Sequence, residues 1–264
     1  GLAHKPTVFF GVPALYAILS LMKNAPLSSV KCFFSGGDAL PDRIRAAFSL
    51  VYRRKLCGGY GLTETAPVVA VEMDDVLEAT DTVGKPVIGV EVLIKDEQGI
   101  TLPHGQVGEI WIKGENVMLG YYHAPELTKE TLVDGWLRTG DLGYFDSKGK
   151  LVVSGRLKDL IIHKGLNIYP QEIENIIVTH PNVIFVGIVG KPDELSGEVP
   201  IAFVQIKEDE SNIEQKLREL CIQKLAAYKV PRQFICSTKR LPVTAMGKVD
   251  KKVLKAQLHE QKTR

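Results

Sequence analysis

Two short apolar runs each end in a glycine turn, and a helical stretch lies between them. Val30-Lys31-Cys32-Phe33-Phe34 runs into Ser35-Gly36-Gly37, and a strand near Leu56 runs into Gly58-Gly59-Tyr60-Gly61-Leu62-Thr63-Glu64. Between them Pro41 opens a helix that places Leu40, Ile44, Phe48 and Val51 on one face. Upstream, Thr7 to Phe10 reads as a buried strand and Pro13 opens a helix running to about Met22. Strand, glycine turn, helix, strand, glycine turn is an α/β pattern whose turns gather at one sheet edge, where ligands bind.

The texture changes near Asp75. Val90, Val92 and Ile94 alternate with polar residues, and short strands follow at Glu109 to Lys113, Gly135 to Arg138, Gly143 to Phe145 and Lys150 to Val153. Closely spaced strands with few helices predict a small β-barrel or sandwich. From Gly155 the pattern is α+β: a strand at Leu160 to Ile162, a helix from Pro170, strands at Val183 to Val189 and Pro200 to Ile206. A capping box at Ser211-Asn212-Ile213-Glu214 precedes the next helix, then come a strand at Gln233 to Cys236 and a last helix from Asp250. The expected organisation is residues 1–75, an α/β part; 76–154, a barrel-like part; 155–158, a hinge; and 159–264, a mobile α+β domain.

A chain of 264 residues is long enough for two domains, and a net charge of +2 with dispersed basic residues gives no reason to expect a nucleic-acid partner. Cys32, Cys57, Cys221 and Cys236 are far apart, so they read as small buried hydrophobes of a reducing compartment, and a cytoplasmic location is expected. The most apolar stretch, Val8 to Met22, is too short to span a bilayer and carries Gly11 and Pro13. Peripheral membrane contact and homo-oligomer formation stay open. The chain begins with Gly1 rather than Met and has no secretory leader, which suggests a processed product or a piece of a longer chain.

Several residues have both a plain and a chemical reading. The glycines after Ser35 make a tight turn or let backbone approach a flat ligand. Tyr60, between two glycines, is a core ring or a surface for stacking on a purine. Thr63 and Glu64 open a helix, or offer the oxygen ligands a hard Mg²⁺ accepts beside a triphosphate. Asp141 makes an Asx turn, or accepts hydrogen bonds from both hydroxyls of a ribose. Lys248 is a solvated charge or a cation for developing negative charge. His163 reads as an exposed loop histidine rather than a general base.

Six segments occur in a fixed order: Ser35-Gly36-Gly37-Asp38-Ala39-Leu40, Tyr60-Gly61-Leu62-Thr63-Glu64-Thr65, Gly135-Trp136-Leu137-Arg138-Thr139-Gly140-Asp141, Gly155-Arg156-Leu157-Lys158-Asp159, Lys164-Gly165-Leu166-Asn167-Ile168-Tyr169-Pro170 and Pro242-Val243-Thr244-Ala245-Met246-Gly247-Lys248. Together they resemble the conserved blocks of AMP-forming acyl-CoA synthetases, in the adenylate-making superfamily that includes luciferases and peptide-synthetase adenylation domains. The Thr65-Ala66-Pro67 and Gly120-Tyr121-Tyr122 segments are similar to those of medium- and long-chain fatty acyl-CoA ligases.

The resemblance implies an ATP- and Mg²⁺-dependent ligase that turns a carboxylic acid, expected to be a fatty acid, into an acyl-adenylate and then a coenzyme A thioester. By motif match, Gly37, Asp38 and Ala39 wall the adenine slot and Tyr60, flanked by Gly59 and Gly61, stacks on the base. Thr63 contacts phosphate, Glu64 binds the metal, and Asp141 and Arg156 hold the ribose. Lys248 is the main catalytic residue, Lys164 and Gly165 belong to the thioester step, and Lys158 is the hinge about which the last domain rotates. The family's phosphate loop has no match, and no G-x-x-x-x-G-K-[ST] replaces it, so this polypeptide alone is expected not to adenylate. Two other readings are a ligase that loads a carrier protein and a truncated, non-catalytic nucleotide-binding module.

Overall fold

The computed structural model describes residues 4–22, 25–38, 40–73, 82–244 and 247–260. It divides into two compact units, Gly1–Val153 and Ser154–Arg264. Ala39 and the expected boundary at residue 75 lie outside the described residues.

In the first unit β1 (Val8–Gly11), β2 (Cys32–Ser35) and β3 (Leu56–Tyr60) pair in parallel, with α1 (Pro13–Met22) and α2 (Asp42–Tyr52) as the intervening helices. The helices pack through aromatic rings. Phe48 of α2 meets Tyr16 of α1 edge to face at 5.2 Å between centroids and Phe33 of β2 at 5.0 Å. All three rings are fully buried, each contributing about 1.5–3 kcal/mol by the usual burial scale. The one polar atom Tyr16 brings inside is satisfied, because its hydroxyl donates to Phe34 O at 2.8 Å.

β3 then acquires an antiparallel partner, β4 (Ala70–Val71), which pairs with β5 (Lys85–Pro86). A second sheet follows, built from β6 (Val90–Lys95), β7 (Gly108–Gly114), β8 (Leu132–Val133, after the short α3, Pro125–Thr131), β9 (Trp136–Phe145) and β10 (Leu151–Arg156). Its order is β10-β9-β7-β6, with β8 beside β9. An antiparallel bridge between Leu151 and Gly84 links β10 to the segment entering β5. Val69, Ala70, Ile94, Ile110, Ile112, Leu137 and Leu151 form the core beneath. Beside it lies a buried ion pair, with Lys150 Nζ 3.1 and 3.2 Å from the two oxygens of Glu72 and Thr82 Oγ1 donating to Glu72 at 2.7 Å.

The second unit holds the hairpin β11 (Ile161–His163) and β12 (Leu166–Ile168), α4 (Pro170–Ile177), the long hairpin β13 (Val183–Asp193) and β14 (Gly197–Ile206), α5 (Ile213–Lys224), β15 (Gln233–Ser237) parallel to β14, and α6 (Lys251–Glu260). Residues of β14 alternate between two cores. Ala202, Val204 and Ile206 join Ile173 and Ile177 of α4 and Leu217 and Cys221 of α5, while Ile201 and Phe203 join Leu254 and Leu258 of α6. A sheet covered on both faces explains why β14 reads as a continuous apolar run.

The architecture is the expected α/β plus α+β, with local corrections. The strands expected at Gly135 to Arg138 and Gly143 to Phe145 are one strand, β9. The capping box at Ser211–Glu214 does not form. Asn212 is the residue before α5 and sits in the left-handed region at φ 61°, with no side-chain cap bond. That backbone carries the side chain away from the first-turn amides it would have to reach. The strands expected at Val183 to Val189 and Pro200 to Ile206 extend into one hairpin, because backbone pairing continues through Lys191, Pro192 and Asp193 to Gly197. His163 lies on β11, half-buried, with Nδ1 2.7 Å from Glu198 O, rather than on an exposed loop. Among the described residues no helix is long and apolar enough to cross a membrane.

Two measurements follow from this packing. Glu72→Ala strips the buried Lys150 ammonium of two hydrogen bonds, and removing one partner of a buried pair costs on the order of 3–5 kcal/mol, so urea unfolding of the first unit should shift by that amount. Burial pushes the Cys221 and Cys236 thiols up to about 11. At pH 8 roughly one in a thousand of each is thiolate, so iodoacetamide should label both only after denaturation, as mass spectrometry of peptides would show.

Candidate functional site

Parallel pairing sets the site's floor. Ser35 of β2 lies opposite Gly58 of β3, so the Gly36-Gly37-Asp38 segment and, two residues further along, the segment from Gly61 leave the parallel strands at the same end. Gly37 takes a positive φ of 78°, and Gly37 and Asp38 are exposed. Ala39, expected beside them, lies outside the described residues.

Beyond β3 the chain must turn sharply. Tyr60 O accepts from Val69 N at 2.8 Å, closing an eight-residue excursion that contains a single 3₁₀ turn, Thr63–Thr65. Thr65 is fully buried and holds the excursion from within. Its hydroxyl accepts from Leu62 N at 3.0 Å and lies 3.0 Å from Leu62 O and 3.1 Å from Pro67 O. There is no room for a side chain at Gly61, where a Cβ would fall 1.6 Å from Pro67 O. Glycine here is fixed by close backbone approach.

Tyr60 is half-buried, and its hydroxyl donates to Asp141 Oδ2 at 2.8 Å. Of the two readings of Tyr60, the core ring holds in part: its ring packs against the core of Val69, Ala70 and Ile110, and its phenol end is tied down. Asp141 is 5% exposed on β9, and its amide donates to Thr139 Oγ1 at 3.0 Å. Behind it sits Glu109 of β7, which sequence reasoning passed over. One Glu109 oxygen accepts from Gly140 N at 3.2 Å, and the other accepts from Trp111 Nε1 at 3.0 Å and from Nε and Nη2 of Arg138 at 3.2 Å. A carboxylate in the otherwise apolar run Gly108–Ile112 was the available signal.

Glu64 meets a residue to which sequence reasoning assigned no role at the site, though its segment carried part of the resemblance. Tyr121 Oη donates to Glu64 Oε1 at 2.9 Å. Burial, and then the Glu64 carboxylate, hold the Tyr121 phenol above its ordinary pKa, so it is protonated and donating at neutral pH. Asn116 donates to Thr65 O at 3.0 Å and to Val68 O at 2.9 Å, and Met118 N donates to Glu64 O at 2.8 Å. Thr63 is exposed beside Glu64.

The remaining expected residues belong to the second unit. Arg156 ends β10, and Lys158 lies in the 3₁₀ turn Leu157–Asp159; both are exposed. Lys164 and Gly165 are the two-residue loop of the β11–β12 hairpin, at φ 49° and 77°. Positive φ at both positions is what a tight hairpin turn demands, which gives Gly165 a backbone reason independent of any ligand. Lys248 is exposed at the end of a turn in which Thr244 N donates to Lys248 O at 2.7 Å.

Residues 2–122 match the family model described as AMP-binding enzyme, and residues 172–248 match AMP-binding enzyme C-terminal domain. A long-chain-fatty-acid–CoA ligase of Bacillus subtilis is 37% identical over 98% of this chain and 46% of its own length. A 2-succinylbenzoate–CoA ligase of Bacillus cytotoxicus is 39% identical over 89% of this chain and 48% of its own. The solved structure of o-succinylbenzoate CoA synthetase from Bacillus subtilis, in complex with its acyl-adenylate intermediate, superimposes with a TM-score of 0.86 at 33% identity, over 97% of this chain and 51% of that one. The chain thus spans about half the length of the curated relatives it matches.

Glycines 36 and 61 separate two kinds of constraint. Gly61→Ala overpacks the turn against backbone and should lower stability by about 3 kcal/mol, whereas Gly36→Ala, with nothing within 4 Å of the added Cβ, should change it by no more than about 0.5 kcal/mol in denaturant titrations.

Proposed function

The chain belongs to the family of AMP-binding enzymes, and on that premise we propose that it forms the adenylate-handling part of an acid–thiol ligase. The whole protein would join a carboxylic acid to AMP at the expense of MgATP, releasing pyrophosphate, and then pass the acyl group to coenzyme A. Named relatives act on a long-chain fatty acid and on 2-succinylbenzoate, and of these we favour a fatty acid for this chain. The observation that carries the reading is the 2.8 Å bond from Tyr60 to Asp141, which sets an aromatic ring and a carboxylate side by side at the open edge of the parallel strands.

In this reading the adenine lies on the Tyr60 ring against the Gly37-Asp38-Ala39 segment. Asp141, whose Oδ2 accepts from Tyr60, is assigned to the ribose hydroxyls, and Arg156 to ribose and α-phosphate. Thr63 donates to phosphate. No group of three or more His, Cys, Asp or Glu able to hold a metal occurs among the described residues. A Mg²⁺ ion bound through one carboxylate, phosphate oxygens and water needs no such group, and Glu64 fits that donor set. When bound, the ion would supply charge neutralisation at the phosphates.

The carboxylate needs no protein nucleophile to attack the α-phosphorus; positioning and charge do the work. Lys248 is assigned to the negative charge that builds in that step, Lys164 and Gly165 to thioester formation, and Lys158 to the pivot between the two half-reactions. Because the sequence supplies no phosphate loop, the 264-residue polypeptide alone should release no pyrophosphate from ATP and acid, while a longer polypeptide carrying one should.

Calorimetry with AMP tests the nucleotide site directly. Charged hydrogen bonds contribute roughly 1.5–3 kcal/mol, so Asp141→Ala should weaken AMP binding about 10- to 100-fold. AMP affinity that is the same with and without the Asp141 carboxylate would remove the central assignment.

A further inference from the structure

The turn carrying Glu64 is fixed twice over, once through its backbone and once through the Glu64 side chain. Its backbone is already determined: Thr65 Oγ1 bonds within the turn, Asn116 grips Thr65 O and Val68 O, and Met118 N holds Glu64 O at 2.8 Å. What those bonds leave undetermined is the Glu64 side chain, which can rotate about three bonds from a half-buried position. Tyr121 removes that freedom.

Tyr121 is itself anchored. Its amide donates to Thr128 Oγ1 at 2.9 Å, and that hydroxyl donates in turn to Ala124 O at 2.9 Å at the start of α3. The phenol therefore projects from a fixed point and takes Glu64 Oε1 at 2.9 Å. No second hydrogen bond to the Glu64 carboxylate is found among the described residues, so Oε2 is left for another donor or a cation. A hydrogen bond to one oxygen of a metal-binding carboxylate orients the other oxygen, and loss of such a partner typically lowers metal affinity 10- to 100-fold.

We propose that Tyr121 is a positioning residue that presents Glu64 Oε2 to the divalent cation of the bound nucleotide, with Thr128 setting the reach of its phenol. The inference rests on the nucleotide-site reading above and goes beyond it. It concerns how the metal is held rather than where AMP lies.

The test compares ATP affinity in saturating Mn²⁺ with ATP affinity in EDTA, by calorimetry on the full 264-residue chain, together with AMP affinity in EDTA and the melting curve. Tyr121→Phe keeps the ring and removes only the hydroxyl. It should cut the Mn²⁺-dependent gain in ATP affinity about tenfold, leaving AMP affinity in EDTA within about twofold of wild type and the melting curve close to it. Thr128→Val, which releases the Tyr121 amide, should reduce the same gain with the phenol present, and it carries the test if Tyr121→Phe fails to fold. Glu64→Gln should abolish the gain.

A merely structural tyrosine would give a different pattern. If Tyr121→Phe weakens ATP and AMP equally, with metal or without, the positioning role is overturned. It is also overturned if the wild-type chain binds AMP but gains nothing from Mn²⁺, an outcome that leaves the nucleotide site standing. A wild-type chain that binds neither nucleotide removes both readings.

Discussion

Two side-chain contacts are prominent among those joining the parallel and antiparallel sheets of the first unit, and its proposed site lies along that seam. Tyr60 reaches Asp141 across 81 residues of sequence, and Lys150 reaches Glu72 across 78. Both pairs run from the β3–β4 side to the β9–β10 side. They differ in environment. The Glu72–Lys150 pair is buried and also receives the Thr82 hydroxyl, as a desolvated charge requires. The Tyr60–Asp141 pair is wetter on the tyrosine side, Tyr60 being half-buried and Asp141 buried. One contact is sealed inside the seam, and the other lies toward solvent on its tyrosine side.

The α/β start of the chain is legible in its residues because the signals are local. Apolar runs of strand length, glycines where strands end, and prolines where helices begin all act within a few positions. The same holds for the alternation in β6 and the inward face of α4. Legibility failed where a distant contact or backbone decided the outcome. At Ser211–Glu214 the letters spell a capping box, yet Asn212 takes a left-handed conformation and the box does not form. His163 resembles a loop residue until the β11–β14 pairing is known. Tyr60 could be recognised as a ring beside a ligand edge, but not as a donor to a residue far along the chain.

The proposed site was legible in part for the same reason. Each motif marks a turn, and turns have local signatures; what supports the turns comes from elsewhere. Asn116, Met118 and Tyr121 grip the Glu64 turn from the segment between β7 and α3, and Glu109 braces Gly140 from a neighbouring strand. Of these, Glu109 left a trace, a charge where the strand pattern asks for an apolar residue. Asn116 left none, and Tyr121 stood out as part of a family-like segment without any sign of the carboxylate it would meet.

In the second unit β14 separates two cores by the parity of its residues, with Ala202 and Val204 on one side and Ile201 and Phe203 on the other. Such a strand can absorb a change of side chain by local repacking. A frame slip of one position is different in kind: it would trade the occupants of both compartments at once, driving the phenyl ring of Phe203 into the space shaped for the methyl of Ala202. Natural variation along β14 should therefore consist of substitutions, with length changes confined to the tip between Asp193 and Gly197.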